Sequence, residues 1–309
     1  MIGEDQLALV ESVRGLLERR ADPAAVRTAM ASETGWDEEL WRTLAEQVGA
    51  AALTIPEEYA GAGASLLEAA LVLEELGRTL APSPLLASTI AAAATTDPGL
   101  LERIASGEIA TVAFADTDAT TIPHVLFGAE AAIVLVVTPG GVRLVEPSAR
   151  EATSPLDPTL RLATLTVDGG RDVHGDPEPA RRAALVGVAA LAAGCARRGL
   201  EMTVDYTKQR EQFGRPIGSF QALKHRMADM LVLVEMSRSA AWAAAAGELD
   251  PVAAAAYTKD AVARVAAETI QLHGGIAITW EHDAHLVLKR AHALCQLFGQ
   301  AHELRAELA

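Results

Sequence analysis

Residues Ala183–Ala196 read AALVGVAALAAGCA, an unbroken run of small and apolar side chains fenced by Arg181 and Arg182 before it and Arg197 and Arg198 after it. Alanine has the strongest helix propensity of all residues, so the run reads as helix. At fourteen residues it is shorter than the ~20 needed to cross a bilayer and suits a buried core helix. The segments around it supply the cover. One long helix is expected from Pro179 to Lys208, a second from Phe220 to Gly247, a third from Pro251 to His273 and a fourth from Glu281 to Leu297. In the second, Phe220, Leu223, Met227, Met230 and Val234 recur at three or four residues and make one apolar face. A four-helix bundle is the economical way to bury four such faces, and the alanine-rich stretches imply close helix approaches.

Two further zones precede this bundle. Glu4 to Arg20, Asp37 to Val48 and Ser65 to Gly77 carry apolar residues at helical spacing, broken by Pro56, Gly61 and Gly63. Trp36 and Trp41 read as packing residues of this region. From Thr111 the period changes: TVAFA, AAIVLVV, VRLVE and LATLTVDGG read as strands with glycine turns, and EPSAREATSPLDP between them reads as loop. The expected organisation is mainly α with a small β domain: residues 1–110 helical, 111–178 a short β domain leaning on the helices, and 179–309 the four-helix domain.

The chain has 309 residues, half of them hydrophobic, with 26 basic and 41 acidic residues and a net charge of −15. That is ample for a sizeable core and a poor match to nucleic acid, whose phosphates attract concentrated Lys and Arg. The first residues carry acids where a secretory signal needs a positive region, so a cytoplasmic chain without a membrane span is expected. Cys195 and Cys295 lie in helical apolar contexts and read as reduced core thiols, not as a metal signature.

The most informative motif is KQREQFGRPIGSFQALKHRMADM, a helix, a Gly-containing turn and a second helix. Arg210 just past one helix end and Gln221 at the start of the next can present a guanidinium, an amide and backbone N–H groups to one anionic ligand, such as a dinucleotide phosphate. The alternative is structural: Arg210 pairs with a surface carboxylate and Phe213 fills a gap between helices. In QLHGGIAIT, Gly274 and Gly275 either end a helix or let a ligand approach the backbone. Standard dinucleotide and phosphate-loop fingerprints are missing. Glu281 and His285 share a helical face near His282, but no third ligand completes a zinc site, and no GxSxG serine exists for hydrolysis. Asp229 and Asp260 read as solvent-facing or salt-bridging helical acids.

At these residues the sequence resembles the acyl-CoA dehydrogenase family over nearly its whole length. IPEEYAGAG with LLEAALVLEELGRTLAPSP, then YTKQREQFGRPIGSFQALKHRMADM, then QLHGGIAITWEHDAHLVLKRA carry the resemblance in the family's order. It implies a flavoprotein fold with an N-terminal helical domain, a middle β domain and a C-terminal four-helix bundle, assembled as an oligomer. It also implies FAD contacts at Arg210, Gln212, Phe213, Gln221, Gln271, Gly274 and Gly275, reaching a cofactor held mainly by a neighbouring subunit. The reaction implied is removal of a proton from Cα of an acyl-CoA thioester as hydride leaves Cβ, with an electron-transfer flavoprotein as acceptor.

The chain departs from the family in two places. The usual C-terminal glutamate is replaced by Phe298 in QLFGQ, and the alternative position, near the start of the long helix, holds Ala184. Glu178 lies before the long helix and Glu281 at the start of the last one, either of which would need an unusual geometry to act, and the catalytic base stays unassigned. The middle domain is also short, with AFADTDATT where the family has its flavin-binding strand. The resemblance is therefore to the smaller subunit of a heteromeric enzyme for bulky acyl-CoAs, in which a homologous partner supplies the base and much of the flavin pocket. A non-catalytic structural or regulatory member of the same fold is the alternative.

Overall fold

A computed structural model describes residues 2–117 and 119–309; Met1 and Asp118, the latter within AFADTDATT, lie outside the described residues. Six helices come first: α1 (Glu4–Arg20), α2 (Pro23–Ala31), α3 (Glu38–Glu46), α4 (Leu66–Thr79), α5 (Leu85–Ala94) and α6 (Pro98–Ala105). Their starts follow from capping chemistry. The Asp22, Asp37 and Asp97 side chains accept from backbone N–H groups of the first turns of α2, α3 and α6, and Ser65 with Glu68 forms a capping box on α4. Trp36 and Trp41 are both buried, and the Trp41 indole donates to the Gly107 carbonyl at 3.0 Å.

Seven strands follow: β1 (Ala110–Phe114), β2 (Thr121–Leu126), β3 (Ile133–Thr138), β4 (Gly141–Val145), β5 (Ala149–Ala152), β6 (Leu162–Thr166) and β7 (Arg171–Val173). They form a four-stranded sheet in the order β1-β3-β4-β7 and a three-stranded sheet in the order β2-β6-β5. β1 and β3 are parallel and all the other pairs of these two sheets are antiparallel. Every residue of β3 is buried. Ile133, Leu135 and Val137 face the helical core, whereas Val134 and Val136 join Ile122, Ala163 and Leu165 in a second core. The period-two alternation of side chains thus lets one strand serve two cores, and the β region does lean on the helices. EPSAREATSPLDP, expected to be loop, contains β5. That strand sits on the sheet edge and is half-exposed, so pairing with β6 makes it a strand without an apolar alternation to reveal it.

The second half comprises α7 (Pro177–Gln209), a hairpin of β8 (Glu211–Gln212) and β9 (Arg215–Pro216), then α8 (Gln221–Ala245), α9 (Pro251–His273), α10 (Ala284–Gln296) and α11 (Ala301–Glu307). The fourth long helix begins three residues later than Glu281, after a 3-10 turn at Gly274–Ile278, and a short fifth helix follows it. α7 is long and apolar enough to cross a membrane, but 89% of its most apolar window is buried inside the protein. Every residue from Ala183 to Ala196 is buried, against α4, α5, α8, α9 and α10. The approach to α4 is close on both sides. A Cβ on Gly194 would sit 1.9 Å from the Glu74 carbonyl oxygen, and one on Gly77 would sit 2.3 Å from that of Leu191. Only glycine lets these two backbones meet.

One buried cation ties the three regions together. The Arg290 side chain on α10 is 1% exposed and donates through Nε to Asp157 Oδ2 at 2.6 Å, with Asp157 at 0%. Its Nη2 donates to the carbonyls of Leu80, just after α4, at 3.2 Å and of Thr159 at 3.0 Å. A second buried acid links helices: Glu74 on α4 accepts from the Trp242 indole N–H on α8 at 2.7 Å. Burial pushes Glu74 up to about 7, against the opposing pull of the Trp242 N–H and Arg238.

Asp157→Ala strands the Arg290 charge in the core and is expected to lower unfolding free energy by about 3–5 kcal/mol, read by urea denaturation. Glu74 gives a pH signature. Its folded value lies above its ordinary 4.5, so the folded chain keeps a proton that the unfolded one has released, and stability falls as pH rises between these values. Glu74→Gln keeps an acceptor for Trp242 and removes the titration. Its stability relative to the native chain should rise by roughly 2–3 kcal/mol across that interval; parallel profiles would show that Glu74 ionises without cost.

Candidate functional site

The Arg210 turn is an exposed β-hairpin. α7 ends as Arg210 takes extended geometry, β8 pairs with β9 through Gln212 opposite Arg215, and Ile217 N–H closes the loop on the Arg210 carbonyl at 2.8 Å. The two tip residues, Phe213 and Gly214, both have left-handed φ, +55° and +74°. That geometry belongs to two-residue hairpins and is easy for Gly214, but uncommon for a bulky residue. Phe213 is also 92% exposed, its ring meeting only the edge of Phe220 at 6.0 Å among the described aromatic pairs. It does not fill a gap between helices. Arg210 is exposed and has no carboxylate partner among the described residues. The purely structural reading of this turn therefore fails at both residues.

α8 begins directly behind the hairpin at Gln221, with no side chain capping its first N–H groups. Those N–H groups and the helix dipole favour an anion. Gln221 itself contacts His225 at 2.8 Å, and Gln212 donates to the Glu211 carbonyl at 2.7 Å.

The Gly-Gly segment lies at the same end of the bundle. The Tyr206 ring, in the last turn of α7, stacks on His273, the last residue of α9, at 4.5 Å, so both helices finish side by side. Gly274 ends α9 with φ +67°, and its N–H bonds the Ile270 carbonyl. Gly275 has no such requirement: its φ is not left-handed, and a Cβ there would meet nothing within 4 Å. Nothing in this chain demands glycine at 275, so the open space points outward. Gln271 is exposed beside it. Ile276, Ile278 and Trp280 continue the segment as exposed apolar side chains.

The nearby histidines have structural contacts. His273 and His282 lie 4.7 Å apart at their ring centres, and His285 stacks on Trp280 at 4.8 Å. Burial lowers the pKa of all three. Among the described residues no group of three or more His, Cys, Asp and Glu is placed to hold a metal ion. Cys195 and Cys295 are free thiols, and burial pushes Cys195 up to about 12. Asp260 pairs with Arg305 on α11, and Asp229 is exposed.

Of the two positions where the sequence resemblance puts the family's base, Ala184 is sealed inside the core on α7 and Phe298 sits in the turn between α10 and α11, also at left-handed φ, +56°. The Phe298 ring packs edge-on against Phe114 of β1 at 5.7 Å. Lys259 on α9 secures this turn: its buried ammonium donates to the Leu297 carbonyl at 2.5 Å and to that of Gly299. Desolvation lowers Lys259 to about 8. In the sequence Lys259 is one cation in an alanine-rich helix, with only its apolar neighbours to signal burial. Phe298 borders a cleft of about 210 Å³ between β1, β2 and the end of α10, and a larger one of about 610 Å³ adjoins it between α10 and the β5–β6 connection. Among the described residues neither is lined by an Asp or Glu, though His124 lines both. Glu178 opens instead, with Asp116 and Arg181, onto a separate surface cleft on another side of Phe114. Glu281 is exposed, and its own backbone N–H and the Thr279 hydroxyl hold its carboxyl below the usual range. Both glutamates are exposed to solvent.

With two helical regions around a pair of small sheets, and cofactor-type motifs at one end of the bundle, the class is that of acyl-CoA dehydrogenases. The chain matches the N-terminal domain of acyl-CoA dehydrogenase over residues 3–108 and the C-terminal domain over 184–305. It is 46% identical to acyl-CoA dehydrogenase IpdE2 of Mycobacterium tuberculosis, over 99% of this chain and 96% of that protein. Among solved structures it superposes on the Tcur3481-Tcur3483 steroid ACAD with a TM-score of 0.85 at 28% identity, covering 100% of this chain and 97% of the other. The ChsE4-ChsE5 complex from Mycobacterium tuberculosis gives a TM-score of 0.85 at 26% identity over 100% and 97%. The chain belongs to the acyl-CoA dehydrogenase family, a family of flavoprotein oxidoreductases.

Phe213→Ala removes an exposed ring from strained backbone, so unfolding free energy should change by less than about 0.5 kcal/mol in urea denaturation. A loss several times larger would return Phe213 to a structural role.

Proposed function

We propose that this chain is one subunit of an FAD-dependent acyl-CoA dehydrogenase that converts an acyl-CoA thioester to the trans-2-enoyl-CoA, with a homologous partner supplying the base and part of the flavin site. The observation that carries the partner's role is Phe298. It stands where the sequence resemblance puts the family's base, packed against Phe114, beside a cleft that no carboxylate lines among the described residues. A chain with family architecture but no base needs one from elsewhere.

The residues at the end of the bundle fit a cofactor reached from outside. Arg210 and the uncapped start of α8 offer charge-assisted hydrogen bonds to a pyrophosphate. The exposed Phe213 ring offers a stacking face, Gln212, Gln221 and Gln271 offer amides, and Gly274 with Gly275 lets a ligand approach the backbone. FAD supplies the two-electron sink that accepts hydride from Cβ. This chain's part is to bind and orient the dinucleotide half of the cofactor at the subunit interface, while the partner's carboxylate takes the Cα proton. The steroid ACAD and ChsE4-ChsE5 relatives support a bulky acyl group and a heteromeric assembly. An electron-transfer flavoprotein is the acceptor this family reading implies, and the cytoplasm is the compartment proposed for the enzyme.

Co-expression with a homologous acyl-CoA dehydrogenase subunit tests the reading. One FAD per unlike pair is expected, together with dehydrogenation of acyl-CoA by the pair alone. Arg210→Ala should weaken FAD retention about ten- to a hundredfold, the cost of one charge-assisted hydrogen bond at an interface. A pair whose flavin content ignores that substitution, and which oxidises no acyl-CoA, would identify the chain as a non-catalytic member of the fold.

A further inference from the structure

Three rings meet where α9 gives way to α10. Tyr206 of α7 stacks on His273 at 4.5 Å, and His282 lies 4.7 Å from His273 and 6.1 Å from Tyr206. Hydrogen-bond partners fix the protons on both imidazoles. The Ala284 N–H donates to His282 Nδ1 at 3.1 Å. A backbone N–H can only donate, so Nδ1 carries a lone pair and this ring is neutral. His273 Nδ1 lies 2.7 Å from the Thr269 carbonyl, which can only accept, so there Nδ1 carries the proton and Nε2 is bare. That Nε2 is buried with no hydrogen-bond partner among the described residues. Ala284 opens α10, and the Asp283 side chain before it caps none of the first N–H groups, being paired with Arg27 at 2.7 Å. His282 does the capping instead.

We propose that His282 is a positioning residue for the Gly274–Gly275 segment, an acid-sensitive latch that holds the chain from Gly274 to Asp283 while neutral and releases it on protonation. A proton on Nδ1 removes the acceptor that the Ala284 N–H uses and sets a cation on the positive end of the α10 dipole. The surroundings oppose that cation. Arg198 of α7 and Arg27 of α2 disfavour it, the neighbouring rings of Tyr206 and His273 bring no carboxylate, and Asp283, which favours it, is already engaged by Arg27. Burial is the larger cause, helped by the two arginines and opposed by Asp283, and it lowers His282 from its ordinary 6.5. A released His282 stands in water and titrates near that ordinary value. The released chain therefore binds more protons and gains ground as pH falls below 6.5. Little else holds the segment: Ala277 is the one buried residue from 274 to 280, and Ile276, Ile278 and Trp280 are exposed. The consequence for FAD rests on the functional reading above.

Amide hydrogen exchange of the full chain, read by mass spectrometry as protection factors at about pH 7.5 and about pH 5, tests the latch across the range in which histidine changes charge. In the native chain the N–H groups from Ala284 to Leu286 should lose about five- to tenfold of their protection at the lower pH, the contribution of one helix cap. Those from Val262 to Ala266, in the core of α9, should keep theirs. His282→Asn places an acceptor where Nδ1 stands and has no charge to gain, so its protection should stay level, whereas His282→Ala should be poorly protected at both pH values. Level protection in the native chain, or an equal fall in His282→Asn, would overturn the proposal, and the native profile decides it even where a variant misfolds. FAD retained by the co-expressed pair should fall over the same interval, and less so with His282→Asn. A latch that opens while flavin stays bound supports the proposal and defeats instead the reading that Gly274 and Gly275 touch the cofactor.

Discussion

The buried Arg290–Asp157 pair is the constraint on which the arrangement depends. Two charges removed from water cost several kcal/mol each unless geometry and hydrogen bonds compensate. Here the compensation is drawn from three regions at once: Asp157 and Thr159 from the segment between β5 and β6, the Leu80 carbonyl after α4, and the guanidinium on α10. Arg290 loses part of this set if any one region drifts from the others. Hydrophobic burial holds the core together without direction, whereas this pair specifies where the sheets sit on the helices. The clefts beside Phe298 are bounded by the same α10 and the same β5–β6 segment, so their shape is set by it.

The helical scaffold follows a simpler rule. α7 is a core helix that others surround, and its glycine and alanine surface permits approaches that larger side chains would block. Its register with α9 brings the Arg210 hairpin and the Gly274–Gly275 segment to one end of the bundle, through the Tyr206–His273 stack. Two motifs separated by two helices in sequence thereby face the same exterior. Their residues include an exposed aromatic in left-handed geometry, a guanidinium with no carboxylate partner among the described residues and a glycine with empty space around it.

Much of this was legible in advance. The long helices follow from periodicity and caps, with ends displaced by a few residues, and the burial of Trp36, Trp41 and the Ala183–Ala196 run follows from composition. α5 was not legible because it is apolar on almost every side and shows no period. β5 was not legible because an edge strand owes its form to its partner. The motif residues Arg210, Phe213, Gln271 and Gly275 could be named from the sequence, but the test of their role, whether anything inside the chain uses them, required coordinates. Lys259, Glu74 and Asp157 escaped notice, since a single charged residue in a helix or loop looks the same buried or exposed.

The sequence by itself determined the helix-rich architecture and the family, because these depend on local periodicity, capping and residue identity. Only the tertiary structure decided that Glu178 and Glu281 lie outside the linings of these clefts, that a strand irregularity puts His124 in both, and that one buried arginine joins all three regions. Those outcomes depend on which distant backbone groups meet, and the desolvation cost of a charge is fixed by everything folded around it rather than by its neighbours along the chain.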